Sequence, residues 1–154
     1  MANHISLHEI SSRLDRVFES SKEINDDEIK SHYARYLCVL TSGYIEESVK
    51  IIIRIYAKTR GHSNISNYIN TSTNTLTNLN SDKLGKVLNS FNSEWRDKFE
   101  AILTDEEKDA IDSVVANRHQ IAHGQNVGVS YVRVKEWYKN IKKVIEKISL
   151  IVNS

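Results

Sequence analysis

The stretch TDEEKDAIDSVVANRHQIAHG, residues 104–124, decides the fold that the sequence predicts. Thr104 followed three residues later by Glu107 is a capping box, which marks the start of a helix. Apolar residues then recur at helical spacing, at Ile111, Val114, Val115, Ile121 and Ala122. Gly124 is the residue type that commonly ends a helix. We therefore expect one helix from about Thr104 to His123, and the rest of the chain serves as its scaffold.

The end of this helix carries the candidate functional residues. At about 100° per residue, Arg118 falls within the apolar stripe, whereas His119 and His123 lie together along its flank. Because a guanidinium does not lose its proton, a buried arginine needs a carboxylate or a ligand phosphate beside it. Glu46 and Glu47, on the second helix, are the candidate carboxylates, and the helical wheel favours Glu47.

Composition places the chain among ordinary globular proteins. The 154 residues fit one domain, spanning 1–154, and 40% of them are hydrophobic. A net charge of +1 neither implies nor excludes a nucleic-acid partner. The single cysteine, Cys38, excludes an intramolecular disulfide and a multi-cysteine zinc site, and its apolar surroundings predict a core residue. No secretion signal and no apolar run of about 18 residues is present, so we expect a cytoplasmic protein without a membrane partner.

Helical periodicity recurs along most of the chain. The predicted helices are about 6–24, 27–61, a short one capped by Ser81, one around 95–103, the helix of 104–123, and a last one capped by Ser130. Residues 62–81 are dominated by Asn, Ser and Thr, and we expect an irregular excursion or lid there, with mobility favoured over a specific contact. Without a strand pattern or a proline, the sequence predicts an all-α antiparallel bundle of four to six helices.

The second helix is apolar on two sides, which predicts a central position or a homodimer interface. One side carries Ile29, Tyr33, Leu37, Leu40, Tyr44, Ile51 and Ile55, and the other carries Cys38, Ile45, Val49, Ile53 and Tyr56. The last helix is basic around its apolar stripe. Arg133, Lys135 and Lys139 on it are either solvated surface or contacts to an RNA backbone.

Arg118 and His123 suit RNA cleavage, because the ribose supplies its own 2′-hydroxyl nucleophile. His123 can move a proton near neutral pH, and Arg118 can stabilise the phosphoryl charge, so neither a metal nor another cofactor is needed. On one ideal helix the two residues diverge by about 140° and about 7.5 Å along the axis. They converge if His123 lies in a frayed last turn, or if two copies of the helix build a composite cleft across a two-fold axis.

Two other interpretations of this segment compete with RNA cleavage. His119 and His123 have the spacing of zinc-binding histidines in H-E-x-x-H metalloproteases, but Gln120 stands at the general-base position and cannot act as a base. Alternatively, both histidines only decorate a helix C-terminus, where cations are favoured, and Arg118 forms a structural salt bridge.

The pattern Arg118-His119-x-x-x-His123 resembles the signature of the HEPN superfamily, which consists of all-helical bundles that are often metal-independent ribonucleases. Two further segments resemble its RiboL-PSP-HEPN branch. These are residues 43–50 (GYIEESVK) and the helix that Ser130 caps, with Val134-Lys135-Glu136-Trp137-Tyr138. The resemblance covers about 31–61 and 104 to the end, and it aligns Glu46, rather than Glu47, with the acid that supports the arginine.

The resemblance implies a dimeric cleft in which Arg118 and His123 cleave RNA, leaving a cyclic phosphate and a 5′-hydroxyl. It also implies a toxin or anti-phage defence effector, with an antitoxin or a larger defence system as a further partner. The alternative from a different functional class is a non-catalytic helical module that binds RNA or protein.

Overall fold

The computed structural model describes residues 5–154, which form seven α-helices and one 3-10 turn, with no strand among them. The helices are α1 (Leu7–Ser21), α2 (Asp27–Arg60), α3 (Ser63–Ser72), α4 (Ser81–Phe91), α5 (Ser93–Ile102), α6 (Asp105–Ala122) and α7 (Tyr131–Asn153). The predicted all-α bundle is confirmed. Its helices number seven rather than four to six, because the polar segment after α2 is itself helical.

Helices α1, α2, α6 and α7 form the main core, with α2 packed against α1, α6 and α7. Tyr138 shows how α1 is attached to α7: its hydroxyl donates to Asp15 Oδ1 at 2.6 Å, and its ring stacks on Phe18 at 4.7 Å between centroids. Burial and the neighbouring Asp15 carboxylate raise the pKa of the Tyr138 hydroxyl. Helix α7 runs antiparallel to α6, since Lys147 near its end reaches Glu107 at the start of α6.

Both capping boxes predicted from the sequence are present, at Ser6 with Glu9 and at Thr104 with Glu107. Two helix ends differ from the prediction. Helix α1 stops at Ser21, whose hydroxyl bonds back to the carbonyl of Val17 at 2.7 Å. Helix α4 is capped by Asn80 instead of Ser81, because both the N–H and the hydroxyl of Ser81 donate to Asp112 on α6.

Residues 62–81, predicted to be irregular, contain helix α3 and the 3-10 turn Thr73–Thr75. Hydroxyl groups in this segment bond to carbonyls three or four residues earlier, and none of the residues of α3 is buried. Arg54 of α2 then attaches the turn to the bundle: its Nε donates to Thr73 Oγ1 at 3.0 Å and its Nη2 to Asn74 Oδ1 at 2.7 Å. The 3-10 turn is thus held by α2, and the end of the segment is held by α6, where Arg118 bonds to Asn78 and Asp112 bonds to Ser81.

Gly124 ends α6 as predicted. Its φ of +70° lies in the left-handed region, and the N–H of Gln125 reaches the carbonyl of Gln120 while that of Gly124 reaches Ile121. This is the Schellman arrangement, which satisfies the last carbonyls of a helix. The chain turns here into the loop that leads to α7, so Gly124 sets where His123 sits relative to the last turn.

Cys38 is fully buried, as the sequence predicts, and its Sγ lies 3.6 Å from the carbonyl oxygen of Val114 on α6. Burial raises the pKa of the Cys38 thiol to about 12, so the thiolate that reacts with oxidants is suppressed. Within residues 5–154, every helix is too short or too polar to cross a membrane.

Candidate active site

Arg118 lies half-buried near the end of α6, where the helix emerges from the core. Val114 and Val115, one turn earlier, are buried, whereas Ala122, one turn later, is exposed. The Arg118 guanidinium donates from Nη1 to Asn78 Oδ1 at 3.1 Å. No Asp or Glu among residues 5–154 forms an ion pair with it. The structural salt bridge weighed for Arg118 is therefore absent from this part of the chain.

Asn78 connects Arg118 to the second helix. It lies in the segment between the 3-10 turn and α4, and its N–H donates to Glu46 Oε1 at 2.9 Å. Glu46 thus approaches Arg118 through Asn78 rather than by direct contact. Glu47 is exposed and bonds to Lys50 at 3.1 Å, on a different part of α2. Of the two candidate acids, Glu46 is the one linked to Arg118 through Asn78.

His119 and His123 are both exposed, and their rings meet edge to face with centroids 4.4 Å apart. His123 is the C-cap of α6, with φ −91° and ψ 14°, so its backbone has already left the helix. The two histidines gain no third His, Cys, Asp or Glu as a metal ligand from residues 5–154. An exposed imidazole at a helix end is well placed to exchange protons with a ligand and with water.

Arg118 and His123 are not joined by a hydrogen bond within the described chain. The backbone of His123 leaves the helical conformation at the C-cap. Its ring packs on the ring of His119. A single chain therefore presents a cation and an imidazole in the last turns of α6, without a hydrogen bond that would couple them.

An open groove of about 930 Å³ runs along α6 beside these residues, between α6 and the α4–α5 pair. Asn78, His119 and Gln120 contribute to its wall next to Arg118, and Asp112 lies farther along. Four carboxylates and two lysines line the groove as a whole, so only its end next to Arg118, with amide and imidazole groups, offers hydrogen-bonding partners suited to nucleobase edges.

The three basic residues proposed for RNA contacts lie on the first turns of α7. Arg133, Lys135 and Lys139 are all exposed. Arg133 is 3.4 Å from Glu136, and the Lys135 ammonium lies 5.9 Å from the centre of the Tyr131 ring. Because α7 begins just after the loop that follows His123, these cations lie at the same end of the bundle as the candidate site.

Asn78 is the site residue that sequence reasoning missed. Its contacts join positions 46, 78 and 118, which are far apart in the chain, and its own segment has no motif. Asparagine is enriched among the few non-glycine residues that adopt a left-handed backbone, as Asn78 does, but residues 62–81 contain six asparagines, so residue type alone did not single it out.

Comparisons with known proteins identify one relationship. A family model described as RiboL-PSP-HEPN matches residues 6–154. No curated protein matches the chain, and no solved structure matches it. The matched range includes the long helix α2, the Arg118-to-His123 segment and α7, and it extends through the polar region of α3.

Proposed function

The chain belongs to the RiboL-PSP-HEPN family, and from that premise we propose that it is a metal-independent endoribonuclease in which Arg118 and His123 act together. The observation that carries the proposal is the state of Arg118. It is half-buried, its side chain is held by one neutral amide, and no carboxylate of the described chain pairs with it. A fixed cation without a counter-charge, beside an exposed imidazole, is suited to an anionic ligand.

The proposed reaction needs only proton transfer and charge stabilisation. The imidazole of His123 removes the proton of a ribose 2′-hydroxyl, and the 2′-oxygen attacks the adjacent phosphorus. The bond from phosphorus to the 5′-oxygen breaks, and that oxygen takes a proton from water to leave as a 5′-hydroxyl, while the imidazolium of His123 returns its proton to the hydroxide that remains. Arg118 donates to the phosphoryl oxygens as their negative charge grows. The products are a 2′,3′-cyclic phosphate and a 5′-hydroxyl end.

The proposed site is composite, formed by two copies of the chain, because one copy leaves Arg118 and His123 uncoupled. A surface suited to a second copy lies on α2. Tyr36 is 52% exposed, Val39 is also exposed, and Gly43 continues the same face. Glu46 is one turn beyond Gly43 along this face, so a chain packed there would lie next to the Glu46, Asn78 and Arg118 contacts.

Gly43 supports this surface as a crossing point for the partner helix. Glycine within a helix costs about 1 kcal/mol relative to alanine, and an added Cβ at Gly43 would meet no atom within 4 Å. No atom of residues 5–154 therefore requires glycine at this position. The absence of a side chain allows another backbone to approach α2 closely, so Gly43 is a suitable crossing point for a two-fold interface.

We expect Gly43→Leu to produce a folded monomer. The added Cβ meets no atom of residues 5–154 within 4 Å, and leucine has a higher helix propensity than glycine, but the larger side chain separates the two backbones at the crossing. Sedimentation at micromolar concentration should show a dimer for the unmodified protein and a monomer for the variant, with unchanged helical content. Leu150→Ser, which changes an exposed apolar residue near the end of α7, should remain dimeric. A dimeric Gly43→Leu protein would rule out this crossing point.

The competing function is a module that binds RNA or protein without cutting it. The separation of Arg118 from His123 within one chain is the observation that favours it. In that case the cation still binds RNA phosphate, and the histidine has no role. On the family resemblance, we extend the catalytic proposal to a toxin or anti-phage effector that an antitoxin or a larger defence system restrains.

The catalytic proposal is tested by incubating purified protein with RNA in excess chelator and determining the ends. We expect cleavage, with cyclic phosphates and 5′-hydroxyls at the new ends, since the mechanism uses no metal. Intact RNA that is nevertheless bound would support the module. Cleavage that disappears with chelator and with His119→Ala would instead support the metal interpretation.

A further inference from the structure

The conformation of Asn78 is the least expected feature near the site. Its φ of 51° lies in the left-handed region, which costs free energy for residues other than glycine. In this conformation the backbone N–H donates to Glu46 Oε1 on α2, while the side-chain Oδ1 accepts from Arg118 Nη1 on α6. One residue of the connection before α4 therefore bridges a carboxylate and a guanidinium that do not touch each other.

The chemistry of this bridge differs from that of an ion pair. A carboxylate facing Arg118 would form a strong, often two-pronged contact and neutralise the cation. An amide oxygen carries no net charge and here accepts from a single N–H. The guanidinium is thereby oriented while its full charge and its remaining N–H donors stay available. One oxygen of the Glu46 carboxylate accepts from the N–H of Asn78, so Glu46 contacts the backbone of Asn78 rather than the guanidinium.

We propose that Asn78 is a positioning residue that orients Arg118 toward a phosphodiester and keeps the guanidinium charge unpaired, with Glu46 fixing Asn78 from the α2 side. This inference rests on the proposed role of Arg118 as a phosphate ligand. It replaces the direct arginine–acid pair expected from the sequence with a relay in which a neutral amide separates the two charges.

Two substitutions distinguish the two roles of Asn78, which are to accept a hydrogen bond from Arg118 and to leave the guanidinium charge unpaired. Asn78→Asp keeps the size and tolerates the left-handed backbone, but it places a carboxylate against Arg118. Asn78→Gly keeps the backbone conformation and the N–H to Glu46 while removing the acceptor for Arg118. The probe is a single-stranded oligonucleotide with 2′-deoxy sugars, which the proposed reaction cannot cut. Its affinity is measured as a function of salt concentration, alongside cleavage of the matching RNA.

We expect Asn78→Asp to reduce the slope of log K against log salt by about 0.7, the value for one lost phosphate contact on a single strand. Asn78→Gly should keep the slope, because the charge remains, and should lower kcat on the order of tenfold through misplacement of Arg118. In an Arg118→Ala background, Asn78→Asp should leave the slope unchanged. A merely structural asparagine would not produce this dependence on Arg118.

The proposal is overturned if Asn78→Asp has the slope of the unmodified protein, if its effect persists without Arg118, or if no binding is measurable at the lowest salt. Cleavage of RNA by the unmodified protein decides the proposed function separately. If the protein binds with the expected slopes but does not cut RNA, the proposed role of Asn78 is supported and the proposed ribonuclease activity is contradicted.

Discussion

Arg118→Ala is expected to lower the RNA cleavage rate by a factor of about 10³, with the fold retained. Removing one preorganised donor that stabilises developing charge has an effect of about this size. The side chain makes a single hydrogen bond to the rest of the chain, so its loss should leave the melting temperature nearly unchanged. Arg118→Lys should recover only part of the rate, because an ammonium lacks the planar fork of donors.

His123→Ala should cause a loss of about 10²- to 10⁴-fold, the range for a general acid or base. The matched control is His119→Ala, which removes the neighbouring exposed imidazole from the same helix end. We expect a smaller loss for His119, since its ring packs on His123 and lines the groove. Cleavage rates are measured by gel on a labelled RNA. Equal rates for both variants and the unmodified protein would exclude catalysis by this segment.

Lys147→Met should lower the free energy of unfolding by about 3 kcal/mol, because it leaves the carboxylate of Glu107 buried without its cation. Glu107 is 4% exposed, and Lys147 Nζ lies 2.7 Å and 2.9 Å from its two oxygens. The same ammonium bonds to the carbonyl oxygen of Ile102 at 2.9 Å, so three helices lose a shared contact. Urea unfolding measures the change.

The control is Lys143→Met, an exposed lysine on the same helix, for which we expect a change within about 0.5 kcal/mol. Adding Glu107→Gln to Lys147→Met should recover part of the lost stability, since the buried charge is then removed and the amide can still accept from Thr104 N–H. A Lys147→Met protein as stable as its Lys143→Met counterpart would contradict the account of this ion pair.

Much of the fold was predictable because its signals are local. The capping boxes at Ser6 and Thr104 each use residues within one helical turn, and the left-handed Gly124 ends α6 where its residue type predicts. Helix α3 was missed because none of its residues is buried and most of them are Asn, Ser or Thr, which have low helix propensity. A helix of this kind leaves no clear apolar period in the sequence.

The candidate site divides in the same way. Arg118, His119 and His123 were identified because one short segment contains them, but the choice between Glu46 and Glu47 depended on tertiary contacts. The helical wheel favoured Glu47. In the structure, Glu47 forms an ion pair with Lys50, and Glu46 accepts a hydrogen bond from the backbone N–H of Asn78. The sequence predicted direct contact between one of these acids and Arg118. It could not predict Asn78 between them, because residues far apart in the chain have no fixed spacing.

The composite cleft is tested most directly by mixing two inactive proteins. Arg118→Ala and His123→Ala chains, unfolded and refolded together, form mixed dimers that contain one intact arginine and one intact histidine on different subunits. The account predicts that the mixture cleaves RNA in chelator far faster than either variant alone. If mixed dimers form and the rate stays at the level of the separate variants, the two residues do not act across the dimer.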